Sequence, residues 1–392
     1  MWILEFLIFL MTGIVIWTLF GYFVFLYFVS ILKPTKKPSD NDYLPTVSVI
    51  IPCYNEEKDI LSKITNLKEI EYPQELIEFI FVDGGSIDKT VEIISSTTKE
   101  LTNYKIVISS KKGKINQINE VLPEIKSKIV VNTDVDAVLE RDALKKMIRH
   151  FEDPMVLVVG AFCEPCNTLD IEGYFWKSQN KGRILESRAY TSFIVVAPCY
   201  AFRRWLIDRF PQDVVADDIY IASHANTLGG RTIYLEDTLV KEMRCPKTYS
   251  EFISHKFRKS NAYLRETLRF LYRLPEMKGM LKMMFVTKIA QQLLLPYAIV
   301  SWLLLSGAMI TLFRFDIVII CFIAIILSML ITNRVFAGIK LKDEKGFSIF
   351  TVLKGYILTV FILLSTGISY PFYRQDSSYS RLGAEEIKEG HK

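Results

Sequence analysis

The sequence predicts an α/β domain with a mainly parallel sheet, joined to α-helical transmembrane segments. Four short runs rich in β-branched residues, 47–51, 79–82, 105–108 and 128–131, alternate with polar stretches that can form helices. This alternation is typical of βαβ units in a sheet that is buried on both faces. Long uncharged runs flank the region, and 50% of the 392 residues are hydrophobic. This composition excludes a disordered chain and argues against an ordinary soluble enzyme.

Four uncharged runs predict membrane spans. The first, residues 6–32, has 27 residues, which at about 1.5 Å per residue exceeds the roughly 30 Å hydrocarbon core. No basic residue precedes it and no cleavage site follows, so we expect an uncleaved anchor rather than a signal peptide. The others are 289–313, 317–333 and 355–373. Buried core helices would explain the two shorter runs, but the very short loops around them favour membrane spans.

The basic residues that flank these runs predict the orientation. They follow the first run or lie between the third and fourth: Lys33, Lys36, Lys37, Arg334, Lys340, Lys342 and Lys345. Because such residues concentrate on the cytoplasmic side, we expect a cell-membrane protein with four spans, both termini outside and the middle region in the cytoplasm.

The predicted organisation has five parts. They are an N-terminal anchor (1–33), the α/β domain (45–245), basic amphipathic helices at the membrane surface (246–284), three spans (285–373) and a polar tail (374–392). The surface helices are predicted because 11 Lys or Arg and three Glu interleave with aromatic residues over 244–288. Nucleic acid would suit the same composition, but it is disfavoured beside membrane spans and with a net charge of only +5.

Polar residues follow three of the expected strands. Tyr54, Asn55 and Glu56 come after the first, Asp83 ends the second, and residues 132–136 (NTDVD) follow the fourth. Because the carboxyl ends of parallel strands share one edge, these clusters are expected to meet there. Acidic groups brought together need a cation or a ligand rich in donors, and a nucleotide-sugar with a divalent metal meets that need. The CxxC pair, Cys163 and Cys166, is weak evidence for zinc because no second pair accompanies it.

Five segments in order carry a family resemblance. They are VSVIIPCYNE, VDGGSIDKT, GKINQIN, TDVD and ADD, between residues 47 and 218. This series resembles family 2 glycosyltransferases, which are inverting enzymes with a Rossmann-like GT-A domain, and the likeness covers about 45–260. One span before the domain and three after it resemble the cellulose-synthase and hyaluronan-synthase-like branch. The resemblance implies a nucleotide-sugar donor, most often a UDP-sugar, and Mg²⁺ or Mn²⁺.

The resemblance also implies roles on the donor side. Tyr54, Asn55 and Glu56 would border the donor, Asp83 would hold its base or ribose, and Lys114 would lie near it. The family has a second Asp where this chain has Gly84. The paired aspartates imply metal binding, with Asp136 the more direct contact: Asp134 and Asp136. For Asp88, a helix cap made with Thr90 is the expected role.

Further positions imply the acceptor side. Asp217 and Asp218 match the pair that supplies the catalytic base, and Asp218 matches the base itself. A helix cap is the alternative for each, and both roles can hold, with one residue capping the helix and the next projecting into the cleft. We expect Asp218, and not Asp217, to be the base. Arg203 and Arg204 match paired arginines that border the acceptor pocket, with surface charges as an equal alternative.

The family's QxxRW segment is altered in this chain, where residues 255–259 read HKFRK. His255 stands for Gln, Lys259 stands for Trp, and Arg258 is kept, so Arg258 is the expected contact to the donor diphosphate. Loss of the Trp removes a ring on which a sugar stacks, and this argues against long-chain processive synthesis.

The sequence therefore predicts a membrane-bound, metal-dependent inverting glycosyltransferase. Its acceptor is expected to be a glycan or a lipid-linked sugar at the membrane. One alternative is a transferase that adds a single sugar to a polyprenyl phosphate. The other is a non-catalytic transporter or scaffold, but no charge interrupts the four runs, which argues against an ion-coupled transporter.

Overall fold

A computed structural model describes residues 1–33, 38, 43–339, 341 and 346–373. Five of the lysines used for the orientation, and the polar tail 374–392, lie outside the described residues: Lys36, Lys37, Lys340, Lys342 and Lys345.

One mixed sheet forms the core of the middle region. In the described part of the chain its strands have the order β3-β2-β1-β4-β7-β6-β8-β5. Their bounds are β1 Val47–Cys53, β2 Ile77–Asp83, β3 Tyr104–Ile108, β4 Ile129–Thr133, β5 Ala137–Leu139, β6 Val156–Pro165, β7 Cys199–Arg203 and β8 Arg231–Glu242. The four expected strands are β1 to β4, and they are mutually parallel. The second half, in which β7 runs antiparallel to β4 and to β6, was not expected from the sequence.

Three of the parallel strands, β1, β2 and β4, are largely apolar because both faces of the sheet are covered there, whereas the edge strand β3 is partly exposed. Alternation along β1 sends Val49 and Ile51 to one core and Ile50 to the other. These three side chains are fully buried, which is the environment that a continuous β-branched run predicts.

Helices cover the sheet and connect it to the membrane. Their bounds are α1 Trp2–Leu32, α2 Ile60–Lys68, α3 Thr90–Thr98, α4 Lys114–Val121, α5 Ala143–Ile148, α6 Asp170–Ala189, α7 Asp217–Thr227, α8 Tyr249–Arg269, α9 Gly279–Thr311, α10 Phe315–Ala337 and α11 Ile349–Ser369. Of these, α1, α9, α10 and α11 are long and apolar enough to cross a membrane. The chain is thus a membrane protein with a large α/β domain.

The basic segment after the sheet forms α8, which begins with a capping box between Thr248 and Glu251. Helix α9 begins at Gly279, so it starts within the segment assigned to surface helices and continues without a break into the membrane run. Each of α1 and α9 contains a π-helical turn, Trp17–Gly21 and Ala290–Leu294. The Gln291 amide donates to the Thr18 carbonyl at 2.8 Å and joins the two turns.

Polar contacts fix both ends of the membrane helices. At one end the Arg314 guanidinium pairs with the Glu5 carboxylate, between α1 and the short loop that joins α9 to α10. At the other end the Lys288 ammonium of α9 pairs with Glu186 of α6, and the Tyr22 hydroxyl of α1 donates to the same carboxylate at 3.0 Å. Helix α6 therefore sits directly on the membrane helices.

Helix α11 runs beside α6 and α8 before it reaches α9. A Cβ added at Gly355 would meet the Tyr174 ring of α6 at 2.7 Å, and one at Gly367 would meet the Tyr297 hydroxyl of α9 at 2.8 Å. Just beyond α11, the ring of Tyr373 lies 5.6 Å from that of Phe257 in α8. The end of α11 therefore stays close to the helix that leaves the α/β domain.

Candidate active site

The polar clusters meet at one edge of the sheet. The register pairs Cys53 at the end of β1 with Asp83 at the end of β2, and β4 ends beside them at Thr133. Because β7 is antiparallel to β4, its first residues arrive at the same edge, where the Asp134 amide donates to the Pro198 carbonyl at 3.2 Å. The edge thus receives loops from both halves of the sheet.

Lys114 joins two of the expected site residues. It is the first residue of α4, after Gly113, whose φ of 105° favours glycine. Its ammonium lies 2.8 Å from the Asp134 carboxylate and 3.3 Å from that of Asp217. Burial raises the pKa of Asp134, and the nearby Lys114 ammonium opposes the rise. The GKINQIN and TDVD segments therefore converge with α7.

Arg244 is a site residue that the sequence interpretation missed. Its guanidinium lies 2.7 Å from Glu56, 3.4 Å from Asp136 and 3.6 Å from Asp59. It therefore neutralises the acidic groups of the β1 loop and of the TDVD turn together. Its position directly after a long strand was the available signal, but only the antiparallel pairing of β5 with β8 brings that strand to Asp136.

Asp217 and Asp218 open α7 in different environments. The Tyr200 hydroxyl donates to Asp217 at 2.6 Å, and Asp217 makes no helix-cap hydrogen bond. Tyr200 and Lys114 therefore hold the Asp217 carboxylate, and the alternative of a helix cap is not seen at this residue. Asp218 accepts from the Ile219 amide at 3.0 Å and lines the cavity described below. Burial, reinforced by the neighbouring Asp217, raises the pKa of Asp218 to about 6.

The loops after β1 and β2 bind each other. Asp83 accepts from the amides of Gly85 and Ser86, both at 2.9 Å. The Asn55 amide donates to the Ser86 hydroxyl at 2.7 Å, and its side chain accepts from the Ile87 amide at 2.8 Å. Asp83 and Asn55 therefore shape the rim of the expected donor site. Nearby, the Lys112 ammonium lies 5.7 Å from the centre of the Tyr54 ring.

Asp88 behaves as expected. It accepts from the amide of Thr90, the first residue of α3, at 3.0 Å, and from the Glu57 amide at 3.1 Å. It thus caps the helix and ties it to the β1 loop.

Gln117 explains the glycine that replaces the family's second aspartate. Its amide nitrogen donates to the carbonyls of Cys53 and Val82, at 2.6 and 2.7 Å, so it is locked beneath the loop. A Cβ at position 84 would meet that nitrogen at 2.9 Å. Gly84 is therefore the residue that fits over a buried glutamine.

A buried lysine lies under the TDVD turn. Lys63 is 1% exposed, and its ammonium donates to the Thr133 hydroxyl at 2.9 Å and to the Ala137 carbonyl at 2.6 Å. These contacts hold both ends of the turn that carries Asp134 and Asp136. Burial lowers the pKa of Lys63 to about 8.

The structure does not place Arg203 and Arg204 in this site. Arg203 pairs with Ile129 at the start of β4, so it lies at the opposite edge of the sheet. Its guanidinium donates to three backbone carbonyls, including that of Val156 at 2.9 Å, and Arg204 donates to the Ile125 and Ile207 carbonyls. Their expected acceptor-side role is wrong, because the antiparallel direction of β7 carries them away from the catalytic edge.

The HKFRK segment forms one side of the site through α8. His255 is 6% exposed, and its ring nitrogens have no hydrogen-bond partner within the described ranges. Burial and the surrounding cations lower its pKa. Lys259 lies 3.9 Å from Glu242 of β8. Arg258 has no carboxylate within 4.0 Å among the described residues, and it faces the same cavity.

One cavity of about 520 Å³ connects this edge to the membrane helices. Asp134, Asp136 and Asp218 line one end, and Leu19 of α1 and Leu295 of α9 line the other. Of the predicted site residues, the following also line it: Glu56, Lys114, Asp217 and Arg258. A substrate bound at the carboxylates can therefore extend to the level of the membrane.

A divalent metal at this site would share its coordination with a bound substrate. The described residues contain no group of three or more metal-ligating side chains, so Asp134 and Asp136 would supply two carboxylates. Mg²⁺ and Mn²⁺ accept few protein ligands when phosphate oxygens and water complete the coordination. Lys114 pairs with Asp134, and Arg244 pairs with Asp136. When a substrate binds, these two cations are close enough to pair with its phosphate oxygens instead.

A family model matches the part of the chain that builds most of this site. Residues 48–210 match the model described as glycosyl transferase family 2. Residues 48–210 are a family 2 glycosyl transferase domain. The match begins in β1 and ends after β7, so it contains Asp83, Lys114, Asp134 and Asp136 and stops before Asp218.

Curated relatives of this chain include an N-acetylglucosaminyltransferase and a polysaccharide synthase. An N-acetylglucosaminyltransferase of Rhizobium sp. is 24% identical over 69% of this chain and 65% of its own length. A poly-beta-1,6-N-acetyl-D-glucosamine synthase of Staphylococcus epidermidis is 29% identical over 29% of this chain and 27% of its own length. The chain thus spans about two thirds or less of the length of these curated relatives.

A solved structure has the same fold over almost the whole chain. A mannosyltransferase from Pyrobaculum calidifontis, solved in complex with GDP-Man and Mn²⁺, covers 95% of this chain and 100% of its own. The TM-score is 0.69 at 22% identity. The family 2 domain therefore has the GT-A fold, and the likeness in fold extends over almost the whole chain.

Proposed function

We propose that this protein is a membrane-bound, inverting glycosyltransferase that moves a sugar from a nucleotide-sugar to a glycan or lipid-linked acceptor. The observation that carries this proposal is the cavity, which joins the carboxylates of the sheet edge to the membrane helices. The catalytic domain would face the cytoplasm, where nucleotide-sugars are available.

The donor side follows from the cluster around the TDVD turn. Asp134 and Asp136 would hold Mg²⁺ or Mn²⁺, which neutralises the diphosphate leaving group. Lys114 and Arg244 would bind phosphate oxygens, and the paired loops of Asn55 and Asp83 would border the nucleoside. Arg258 has no carboxylate partner among the described residues, so its guanidinium is available for the diphosphate.

The acceptor side follows from Asp218. Inversion requires a carboxylate that takes the acceptor proton on the face opposite the leaving group. Asp218 lines the cavity, and a pKa of about 6 leaves it ionised but basic near neutral pH. Asp217 would hold Lys114 and Tyr200 in place beside it.

The donor class is proposed from the relatives. N-acetylglucosaminyltransferases among them favour a UDP-sugar, and the mannosyltransferase in complex with GDP-Man makes a GDP-sugar the second choice. The rival functions are single addition to a polyprenyl phosphate and a non-catalytic scaffold. The buried, opposed charges at the sheet edge favour catalysis over a scaffold, because a scaffold has no need of them.

The test is a screen of labelled UDP- and GDP-sugars against purified protein in native-lipid nanodiscs, with product length as the readout. We expect transfer from one sugar, loss with a chelator and recovery with Mn²⁺ or Mg²⁺. Asp136→Ala should lower turnover by about 10²-fold or more, and Asp170→Ala, an exposed aspartate at the start of α6, should not. Chelator-resistant transfer would overturn the metal assignment, and no transfer from any donor would favour the scaffold.

A further inference from the structure

We propose that Arg183 binds a phosphoryl group of a membrane-borne acceptor, in the part of the cavity between α6 and the membrane helices. The proposal rests on the proposed function, because it names the chemical class of the acceptor.

The position of Arg183 is fixed by its neighbours in α6. A Cβ at Gly182 would meet the Phe23 ring of α1 at 3.0 Å, so the two helices are in contact there. The Lys181 ammonium donates to the Phe336 carbonyl near the end of α10 at 2.7 Å. Arg183 therefore lies where the catalytic domain meets the membrane helices, and its side chain lines the cavity.

The guanidinium is held rigidly. It lies 5.5 Å from the centre of the Trp176 ring and 5.6 Å from that of Tyr234, and it donates to the Asn180 side chain at 2.9 Å. Asn180 is itself 1% exposed and donates to the Cys163 carbonyl at 2.8 Å. Contacts with aromatic rings and with a neutral amide hold the guanidinium in one orientation, but they do not neutralise its charge.

Arg183 has no counter-charge among the residues that the structure describes. No carboxylate of the described ranges lies within 4.0 Å of it, and its buried Nε has no hydrogen-bond partner there. The nearest basic neighbour on α9, Lys288, already shares Glu186 with Tyr22. A partly desolvated cation is costly when unpaired, so the site suits an anion brought by a ligand. A guanidinium binds phosphoryl oxygens in bidentate fashion.

The cavity indicates where that anion comes from. Beyond Lys288 it continues to Leu295, which is about 10 Å farther along α9, and to Ile362 of α11. Those walls belong to membrane helices and combine apolar side chains with the polar Gln291 and Thr359. Their apolar part suits a hydrocarbon chain. The diphosphate of the donor has its own cations, Lys114 and Arg244, at the sheet edge. The geometry thus fits a phosphate or diphosphate attached to a lipid.

Binding, measured without turnover, tests the site itself. Farnesyl phosphate, farnesyl diphosphate, farnesol and inorganic phosphate would be titrated against the full-length protein in nanodiscs of neutral lipid. We expect the wild type to bind the phosphorylated lipids at least about tenfold more tightly than farnesol, because a charge-assisted bidentate contact is worth that much. Arg183→Gln should remove this preference and leave farnesol binding unchanged, and Arg183→Lys should keep part of it.

The matched control is Arg188→Gln, an arginine of the same helix that pairs with Glu236 away from the cavity. It should bind like the wild type. Equal binding of farnesol and farnesyl phosphate by the wild type would overturn the proposal, and so would an unchanged preference in Arg183→Gln. A loss of UDP or GDP binding in Arg183→Gln would assign the residue to the donor. Equal displacement by phosphatidylglycerol would assign the site to a structural lipid.

The proposed function fails separately from this site. If no nucleotide-sugar supports transfer but the phosphate preference persists, the protein binds a lipid phosphate without being a transferase. If transfer occurs to a glycan without phosphate, and Arg183→Gln leaves the KM for that glycan unchanged, the proposed transferase activity is supported. The proposed phosphoryl site is then wrong.

Discussion

The surroundings of Asp218 set the pH range in which a catalytic base could work here. Its carboxylate is partly desolvated, and the charge of Asp217 next to it disfavours ionisation, so its pKa rises to about 6. Below that pH the group is protonated and cannot accept a proton. Above it the carboxylate is ionised, and its raised pKa makes it a stronger base than an ordinary aspartate.

We therefore expect kcat/KM to fall as the pH drops below about 6 and to level off above it. Asp218→Asn should lower kcat by about 10²-fold or more, remove this acidic limb, and change donor affinity by less than about tenfold. Turnover from pH 5 to 8, beside calorimetry of donor binding, measures both effects.

The comparison variant is Asp217→Asn. It keeps an acceptor for the Tyr200 hydroxyl but removes the charge that holds Lys114, so it should weaken donor binding. The acidic limb should persist but move to lower pH, because the Asp217 charge that helps to raise the pKa of Asp218 is gone. If Asp218→Asn abolishes donor binding while turnover per bound donor survives, Asp218 belongs to the donor site.

Packing beneath the β2 loop gives a second prediction at the residue scale. Gly84→Ala would drive a methyl group into the locked amide of Gln117. We expect a loss of about 1–3 kcal/mol in stability, since overpacking in a filled site costs that much, together with weaker donor binding.

The double variant Gly84→Ala/Gln117→Ala tests the cause. If the steric contact is responsible, the glycine substitution should cost less in the Gln117→Ala background, with a coupling of at least about 0.5 kcal/mol in thermal or chemical unfolding. Additive effects would show that the two residues do not interact. Gly85→Ala is a useful contrast, because a Cβ there has open space and only its φ of 85° opposes the change.

At the scale of elements, the parallel half of the fold was predictable and the antiparallel half was not. Strands β1, β2 and β4 are largely buried on both faces, so their apolar runs are nearly continuous in the sequence, whereas the edge strand β3 is partly exposed. Strand β7 is also largely buried, but it contains no β-branched residue, and its direction depends on pairing with β4 and β6. The direction of β7 decides which of its two ends lies at the site. Because the sequence does not show this direction, the sequence interpretation assigned Arg203 to the wrong edge of the sheet.

The site divides in the same way. Asp134, Asp136 and Asp218 follow local motifs, and the structure brings them to one cavity. Arg244 and Arg183 have no motif, because strand pairing places the first and a helix contact places the second. Such residues become visible only when the partners that surround them are known.

The ion pair between α6 and α9 gives a prediction about these elements. Glu186 is fully buried and accepts from both Lys288 and Tyr22, so it joins α1, α6 and α9. Removing one partner of a buried pair leaves the other charge without compensation. We expect Glu186→Gln to lower stability by about 3–5 kcal/mol, measured by thermal unfolding in detergent.

Glu186→Gln/Lys288→Met should recover much of this loss, because the uncompensated ammonium is then gone. Equal stability of the single and double variants would show that the contact between helices, not the charge balance, is what matters. Glu236→Gln, which breaks an exposed pair with Arg188 on the same helix, should change stability by less than about 1 kcal/mol.

At the scale of the whole molecule, the membrane helices differ in how far they extend. Helix α9 continues for 23 residues beyond Lys288 to Thr311, about 35 Å, which is enough to cross the hydrocarbon core. Helix α10 returns over a similar length, and the end of α10 contacts α6 through the Phe336 carbonyl. Helix α11 contacts Tyr297 of α9 at Gly367, close to its own end.

This geometry revises one expectation from the sequence. Tyr297 lies about 21 Å short of the far end of α9, and the six residues from Gly367 to Tyr373 span about 9 Å when helical. The contact of Tyr373 with Phe257 also holds this end near α8. Although α11 is long enough to span, we expect it to stop within the membrane and not to carry the C-terminus outside, as the four-span prediction requires.

We therefore predict that the N-terminus is outside and that the C-terminus shares the compartment of the catalytic domain. A charged tail cannot begin in the bilayer core without a large cost, so it should return to the nearer, cytoplasmic surface. The location of the C-terminus is measured with two reporters fused after Lys392: alkaline phosphatase, which is active only outside, and a fluorescent protein that folds only inside. The same reporters fused after Lys33, which is expected inside, and after Phe313, which is expected outside, serve as controls. Phosphatase activity after Lys392 would restore four complete spans, and the contact between Tyr373 and Phe257 would then have to break in the membrane.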